Sequence, residues 1–263
     1  MKNIFSTYVI TLLILIFSMS LFAQDKEKGR LADFEEEIKN NSDDNDDEDQ
    51  SSGFIAFDGS PRGIFNVLII TEDELKRRTW YKGYSDYPYS SHSIGVFSEK
   101  SLKTFSIISE LEYFHHNMDL TGINFNSRLS PYPLFTFEFR YTDLTEKMKT
   151  RYDHLKLYDI FINYNRLKHE RISFWWGIGM KGILGDRPYN GFAINAGIEI
   201  FPIAPVSLSS NFNLGFLNGT EVYDFSIKLK YHIERFQLSL GYQKFAVGLS
   251  SINGITFGFG FYL

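Results

Sequence analysis

Ile255-Thr256-Phe257-Gly258-Phe259-Gly260-Phe261-Tyr262-Leu263 ends the chain. Side chains alternate between the two faces of an extended backbone. Ile255, Phe257, Phe259, Phe261 and Leu263 therefore share one face, and Thr256, Gly258, Gly260 and Tyr262 the other. One face is bulky and apolar, the opposite one mostly small. What covers the bulky face decides the fold.

The same dyad recurs upstream. Phe105, Ile107, Leu111 and Tyr113 alternate with Ser106, Ile108, Glu110 and Glu112. Ile123, Phe125 and Leu129 alternate with Asn124, Asn126 and Arg128, and Phe135, Phe137, Phe139 and Tyr141 with Thr136, Glu138, Arg140 and Thr142. Comparable runs start near Tyr158, Ile172, Phe192, Val206, Tyr223 and Phe236. That makes ten segments of about 10 to 13 residues, against about 9 to 11 for a membrane-spanning strand and about 5 to 6 for a mean soluble strand. In a soluble barrel the Phe and Tyr of ten strands would have to pack inward, leaving an outer face rich in Gly, Ser and Asn. A membrane barrel turns the apolar face to lipid and the small, polar one to the lumen. The pattern predicts an all-β, up-and-down antiparallel transmembrane barrel of ten strands over residues 104–263. Eight strands follow if the first hairpin stays out, and twelve if residues 91–99 join. A soluble lipocalin-like barrel is the competing reading.

The connections point the same way. Tight turns fall at Ser130-Pro131-Tyr132-Pro133, Leu167-Lys168-His169-Glu170, Phe201-Pro202-Ile203-Ala204-Pro205 and Ile233-Glu234-Arg235. The alternate connections are on average longer and more polar, as expected when short turns are periplasmic and the other loops external.

Upstream of the barrel, Lys2, the apolar run Tyr8 to Phe17, Ser18, Ser20 and Ala23-Gln24 have the layout of a secretory signal, residues 1–23, cut after Ala23. Residues 24–53 follow. From Asp33 to Asp49 there are ten acids and one Lys, a composition that repels itself and reads as a solvated, disordered acidic linker. A calcium loop over Asp43, Asn45 and Asp47 fails, since Glu48 stands where Gly is required and Phe54 where Glu is required. Residues 54–103 read as a periplasmic extension. Ser60-Pro61 starts a short helix with Ile64, Phe65, Leu68, Ile69 and Leu75 on one face, and residues 79–90 form an aromatic loop.

The chain has 263 residues, no cysteine and a net charge of −5. These exclude thiol catalysis, cysteine-based zinc sites and an acylated N-terminal anchor, and they offer no bulk attraction to nucleic acid.

The signal segment and residues 104–263 resemble the small outer-membrane β-barrel proteins of Gram-negative bacteria. The most specific part is the last strand. Phe257, Phe259, Phe261 and Leu263 resemble the C-terminal signal read by the barrel-assembly machinery; that family usually ends in Phe or Trp, and Leu263 stands in that place. The resemblance implies an outer-membrane location in contact with lipid. The C-terminus and N-terminal extension would then be periplasmic, and the acidic segment is the best candidate to bind a periplasmic partner.

The lumen face carries Glu110, Glu112, Glu138, Asp159, Glu199 and Asp224 against Arg128, Arg140, Lys181, Lys228 and Lys230, with His232. Near-neutral buried charges must pair, which predicts a filled barrel with a structural or interaction role. A narrow non-selective channel is the second reading. The third is a lipid-modifying enzyme using His115, His116 and Asp119, or Asp186 and Arg187. The His-x-Ser spacing of barrel lipid hydrolases is absent, His92-Ser93 being adjacent, so no catalytic residue, cofactor or metal is expected. Gly177 and Gly179 read as lumen glycines rather than a nucleotide loop, because no helix follows. Trp175 and Trp176 point one ring to the lumen and one to lipid.

Overall fold

The computed structural model describes residues 29–40, 83–91, 93–149, 151–184 and 188–263. The signal segment, the acidic run 43–49, the helix expected after Pro61, His92, Asp186 and Arg187 lie outside the described residues.

The described chain begins with one helix, α1 (Arg30–Asn40), and two short strands, β1 (Gly83–Tyr84) and β2 (Phe97–Ser98). Ten long strands follow: β3 (Ser106–His115), β4 (Leu120–Tyr132), β5 (Phe135–Lys147), β6 (Tyr152–Lys168), β7 (Ile172–Leu184), β8 (Tyr189–Ile203), β9 (Val206–Leu217), β10 (Thr220–Ile233), β11 (Phe236–Val247) and β12 (Ser250–Tyr262). Each pairs antiparallel with its sequence neighbours, and β12 pairs with β3 to close the barrel. Ten strands is the count expected from the dyad. Closure sets Phe259 opposite Leu111 and Phe257 opposite Tyr113, and Leu263 and Ile107 exchange backbone hydrogen bonds of 2.9 and 3.2 Å. Every barrel strand thus has two partners, so the barrel leaves no strand edge open.

Several strands outrun the expected lengths, most of all β6 with 17 residues. Its first five residues, Tyr152 to Lys156, hold a single aliphatic side chain, the inward Leu155, too little for hydrophobic alternation to reveal them. Pairing with β5 continues there through Lys147 and Tyr152 because the backbone ladder does not need apolar side chains.

The two ends of the barrel differ. At the end holding Ser106 and Leu263, here the terminal end, three ladders shift register: between Leu129 and Tyr132, between Asn165 and Leu167, and between Ile200 and Ile203. Such bulges admit Pro131 and Pro202 into strands. At the opposite, loop end, β9 turns into β10 through Asn218-Gly219, both at positive φ of 52° and 77°, the backbone of a two-residue Asn-Gly hairpin.

Each end is closed. The β1–β2 hairpin covers the terminal end, where the Tyr89 hydroxyl donates to the carbonyls of Val206 and Ile203 at 2.5 and 3.1 Å. Burial raises the Tyr84 hydroxyl above its ordinary pKa, and burial with the nearby Glu199 carboxylate pushes Tyr89 up to about 12. Both phenols are neutral donors at physiological pH. The aromatic loop expected over residues 79–90 supplies the first strand of this hairpin, and β2 lies beyond it.

α1 covers the loop end. That corrects the reading of residues 30–40 as solvated linker and places them at the end opposite the C-terminus. Leu31, Phe34 and Ile38 are buried. They pack on a layer of inward apolar side chains, among them Phe114, Leu144, Leu155, Leu217, Phe245 and Val247. The opposite helix surface keeps Glu36 exposed, and Lys39 lies 3.6 Å from Glu35.

Candidate functional site: the charged lumen

The polarity of the barrel is inverted relative to a soluble one. Outward residues such as Leu238, Phe257 and Phe259 are 53 to 56% exposed, whereas Glu199 and Lys181 inside are 1% exposed. Tyr164 and Trp176 form an edge-on pair of outward rings with centroids 6.0 Å apart. Trp175, next along the strand, points inward with the Arg128 guanidinium 5.2 Å over its ring.

The interior charges form two groups. Toward the terminal end, Glu110 accepts from Lys230 at 2.8 Å and from Gln237 at 2.7 Å, with Lys228 and Arg128 each at 3.8 Å. Lys228 donates to Glu112 at 2.8 Å, and Ser239 donates to the same carboxylate at 3.2 Å. Glu199 lies 3.4 Å from Lys230 and 4.0 Å from Arg128. Nearer the middle, Arg140 donates to Glu138 at 2.7 Å and stands 4.0 Å from Asp224. Asn163 and Asn195 donate to the free oxygen of Glu138 at 2.5 and 3.3 Å, and Asn213 and Gln243 hold Asp224 at 3.1 and 3.2 Å. Lys181 and Asp159 meet at 2.6 Å. All twelve lumen residues expected from the alternation point inward and take part in these two groups, His232 through Ser207. Glu138 and Arg140 pair along β5, whereas Lys228 with Glu112, Lys230 with Glu110 and Glu199, and Arg140 with Asp224 join different strands and tie the wall together across the lumen.

Two ingredients escape sequence reading. Arg166 is buried and adds a cation to the five expected on the lumen face, against six buried carboxylates. It sits at the Asn165–Leu167 bulge, where parity slips. The amides of Asn163, Asn195, Asn213, Gln237 and Gln243 each donate to one of the buried carboxylates, and only their position on the small-residue face signals this. Gly197 shows why that face is small: a Cβ there would lie 2.3 Å from the Trp175 ring and 2.5 Å from the Asn211 amide oxygen. Gly177 and Gly179 likewise sit against β6, where a Cβ would meet Asn163 and the Ile160 carbonyl. A void of about 30 Å³ lies between Glu112, Asn124, Arg140 and Asp224, room for water rather than for a solute.

The proposed catalytic groups do not converge. His115 ends β3 on the exposed side, stacked on Tyr113, while His116 turns to the Asn253 carbonyl and Arg30. Asp119 is exposed in the turn. A nucleophile–base spacing occurs elsewhere: Ser207 is 2.8 Å from His232 Nε2 and donates to Glu199 at 2.9 Å. Glu199 there shares the hydroxyl instead of orienting the far imidazole nitrogen, and Ser207 is fully buried.

The structure thus defines a closed, ten-stranded, up-and-down antiparallel barrel with an apolar exterior and an ion-paired interior. No family model matches the chain, and no curated protein matches it. Among solved structures it is similar to the crystal structure of the N-terminal β-barrel domain of Pseudomonas aeruginosa OprF, at 12% identity and a TM-score of 0.31, covering 61% of this chain and 98% of that one.

Proposed function

We propose that the protein is an integral outer-membrane barrel with a filled lumen, acting as a structural or interaction element and not as an open pore. The inversion of polarity carries this reading. A belt of exposed Phe, Ile and Leu encircles strands whose buried side chains are charged, and only a hydrocarbon solvent makes that arrangement favourable. The closed ladder also satisfies every strand backbone, as lipid requires. Phe257, Phe259 and Phe261 line the outward face of β12 and Leu263 follows it, where the assembly machinery would read them during insertion. With the C-terminus periplasmic, the β1–β2 hairpin closes the periplasmic mouth and α1 the outer one. A periplasmic partner would then meet the hairpin end.

The filled lumen separates this reading from a channel. Interstrand ion pairs span the interior and both mouths are closed. Purified protein in planar bilayers is expected to give conductance no larger than lipid alone. Reproducible conductance steps would favour the channel. The enzyme reading has little support, since the Ser207–His232 contact found among the described residues lies beneath Tyr89 with no route for a substrate. Unchanged phospholipid and lipid A profiles on overexpression are expected.

A further inference from the structure

The loop-end mouth does more than receive apolar side chains: it caps the helix that fills it. A helix leaves its first N–H groups and last carbonyls unpaired. Here the barrel supplies partners at both ends. The two carboxylate oxygens of Glu146, on β5, accept from the backbone N–H of Arg30 and Leu31 at 3.2 and 3.0 Å. At the other end Asn218, in the β9–β10 turn, donates to the Ile38 carbonyl at 2.9 Å. An acidic group at the N-terminal end also complements the helix dipole. Between these caps Leu31, Phe34 and Ile38, at i, i+3 and i+7, enter an apolar layer that no other part of the polar lumen repeats. That is the anchor spacing of helix-in-groove recognition. A helix of 11 residues is marginal alone in water, so the mouth confers the conformation it binds.

We propose that the loop-end mouth is a receptor socket for a three-turn amphipathic helix, and that α1 is its resident, displaceable occupant. A partner that fits has apolar residues at i, i+3 and i+7, an uncapped N-terminus for Glu146 and a carbonyl one helix length away for Asn218. The inference goes beyond membrane residence and does not depend on what covers the exterior.

The test uses the full mature chain in detergent, with Leu31→Asp and Phe34→Asp together to unseat α1. Unboiled gel mobility checks that the barrel is intact. The probe is a fluorescent peptide of residues 28–40. Saturable binding to the double variant is expected, with binding to the wild-type chain at least about tenfold weaker because α1 occupies the socket. Adding Glu146→Gln to the double variant should weaken the peptide by about tenfold, the usual scale for a hydrogen bond to a charged group. Absence of saturable binding to the folded double variant, or equal binding by wild type and variant, would overturn the proposal. Ile38→Asp, which alters the helix alone, serves in its place if the double variant loses the folded mobility.

Discussion

Lys181 is among the most buried side chains in the molecule, and its charge is tolerated because Asp159 lies 2.6 Å away. Removing one partner of such a pair leaves an uncompensated buried charge. Asp159→Asn is expected to destabilise the barrel by about 3 to 5 kcal/mol in urea unfolding from detergent, whereas changing both residues to Leu should cost far less. Equal losses for the single and double variants would contradict the pairing. Gly197 gives a second residue-scale expectation. Gly197→Val drives a side chain into Trp175, over whose ring the Arg128 guanidinium lies. Overpacking of this kind costs about 1 to 3 kcal/mol, and Trp175→Ala in the same chain should recover much of it. At this scale the lumen was largely legible: parity alone places Glu110, Lys230 and the other paired charges inside. Arg166 was not legible, because a bulge changes parity without leaving a mark in the residue types.

α1 is where sequence reading fell furthest short. Its three apolar residues are scattered among Asp33, Glu35, Glu36 and Glu37, so the composition reads as repulsion and the i, i+3, i+7 spacing is drowned. The clue lay in the barrel, where Phe114, Leu144, Leu155, Phe245 and Val247 sit on the otherwise polar face, all near one end. A polar face that turns apolar at one end of several strands needs a cover. Helix docking should also respond to pH through His116. Its Nε2 faces the donor-only Arg30 guanidinium and its Nδ1 the acceptor-only Asn253 carbonyl, a pair only the neutral imidazole can satisfy. Burial, with the Arg30 and His115 charges, lowers the His116 pKa below 6.5, against the opposing pull of the Asn253 carbonyl and Glu146. A depressed folded-state pKa means the docked state binds fewer protons. Its stability is then complete above pH 6.5 and falls as pH drops below it. Hydrogen exchange of the α1 amides, corrected for intrinsic rates, should show less protection at pH 5.5 than at pH 7.5, and His116→Asn should flatten the difference. Protection unchanged or higher at pH 5.5 would contradict this role of His116.

Over the whole molecule, strand number, order and face assignment follow from one repeated dyad, because a closed barrel has a single periodic rule: small or polar inside, apolar outside. The closures at the two ends obey no such rule, and only the structure reveals that α1 and the β1–β2 hairpin occupy opposite mouths. In a membrane those mouths face different compartments. The chain lacks cysteine, so single cysteines report on this cleanly. Glu36→Cys on the exposed side of α1 is expected to react with an impermeant maleimide in intact cells, and Lys100→Cys beside β2 only after the outer membrane is breached. Protection of both in intact cells would place α1 with the hairpin instead. Membrane residence rests on the apolar face meeting lipid. The most direct measurement is the mobility of boiled and unboiled mature protein from fractionated cells on a denaturing gel. A heat-dependent shift, in the outer-membrane fraction, is the predicted result. An identical mobility, with the protein in the soluble periplasmic fraction, would contradict it and put the aromatic face inside a soluble fold.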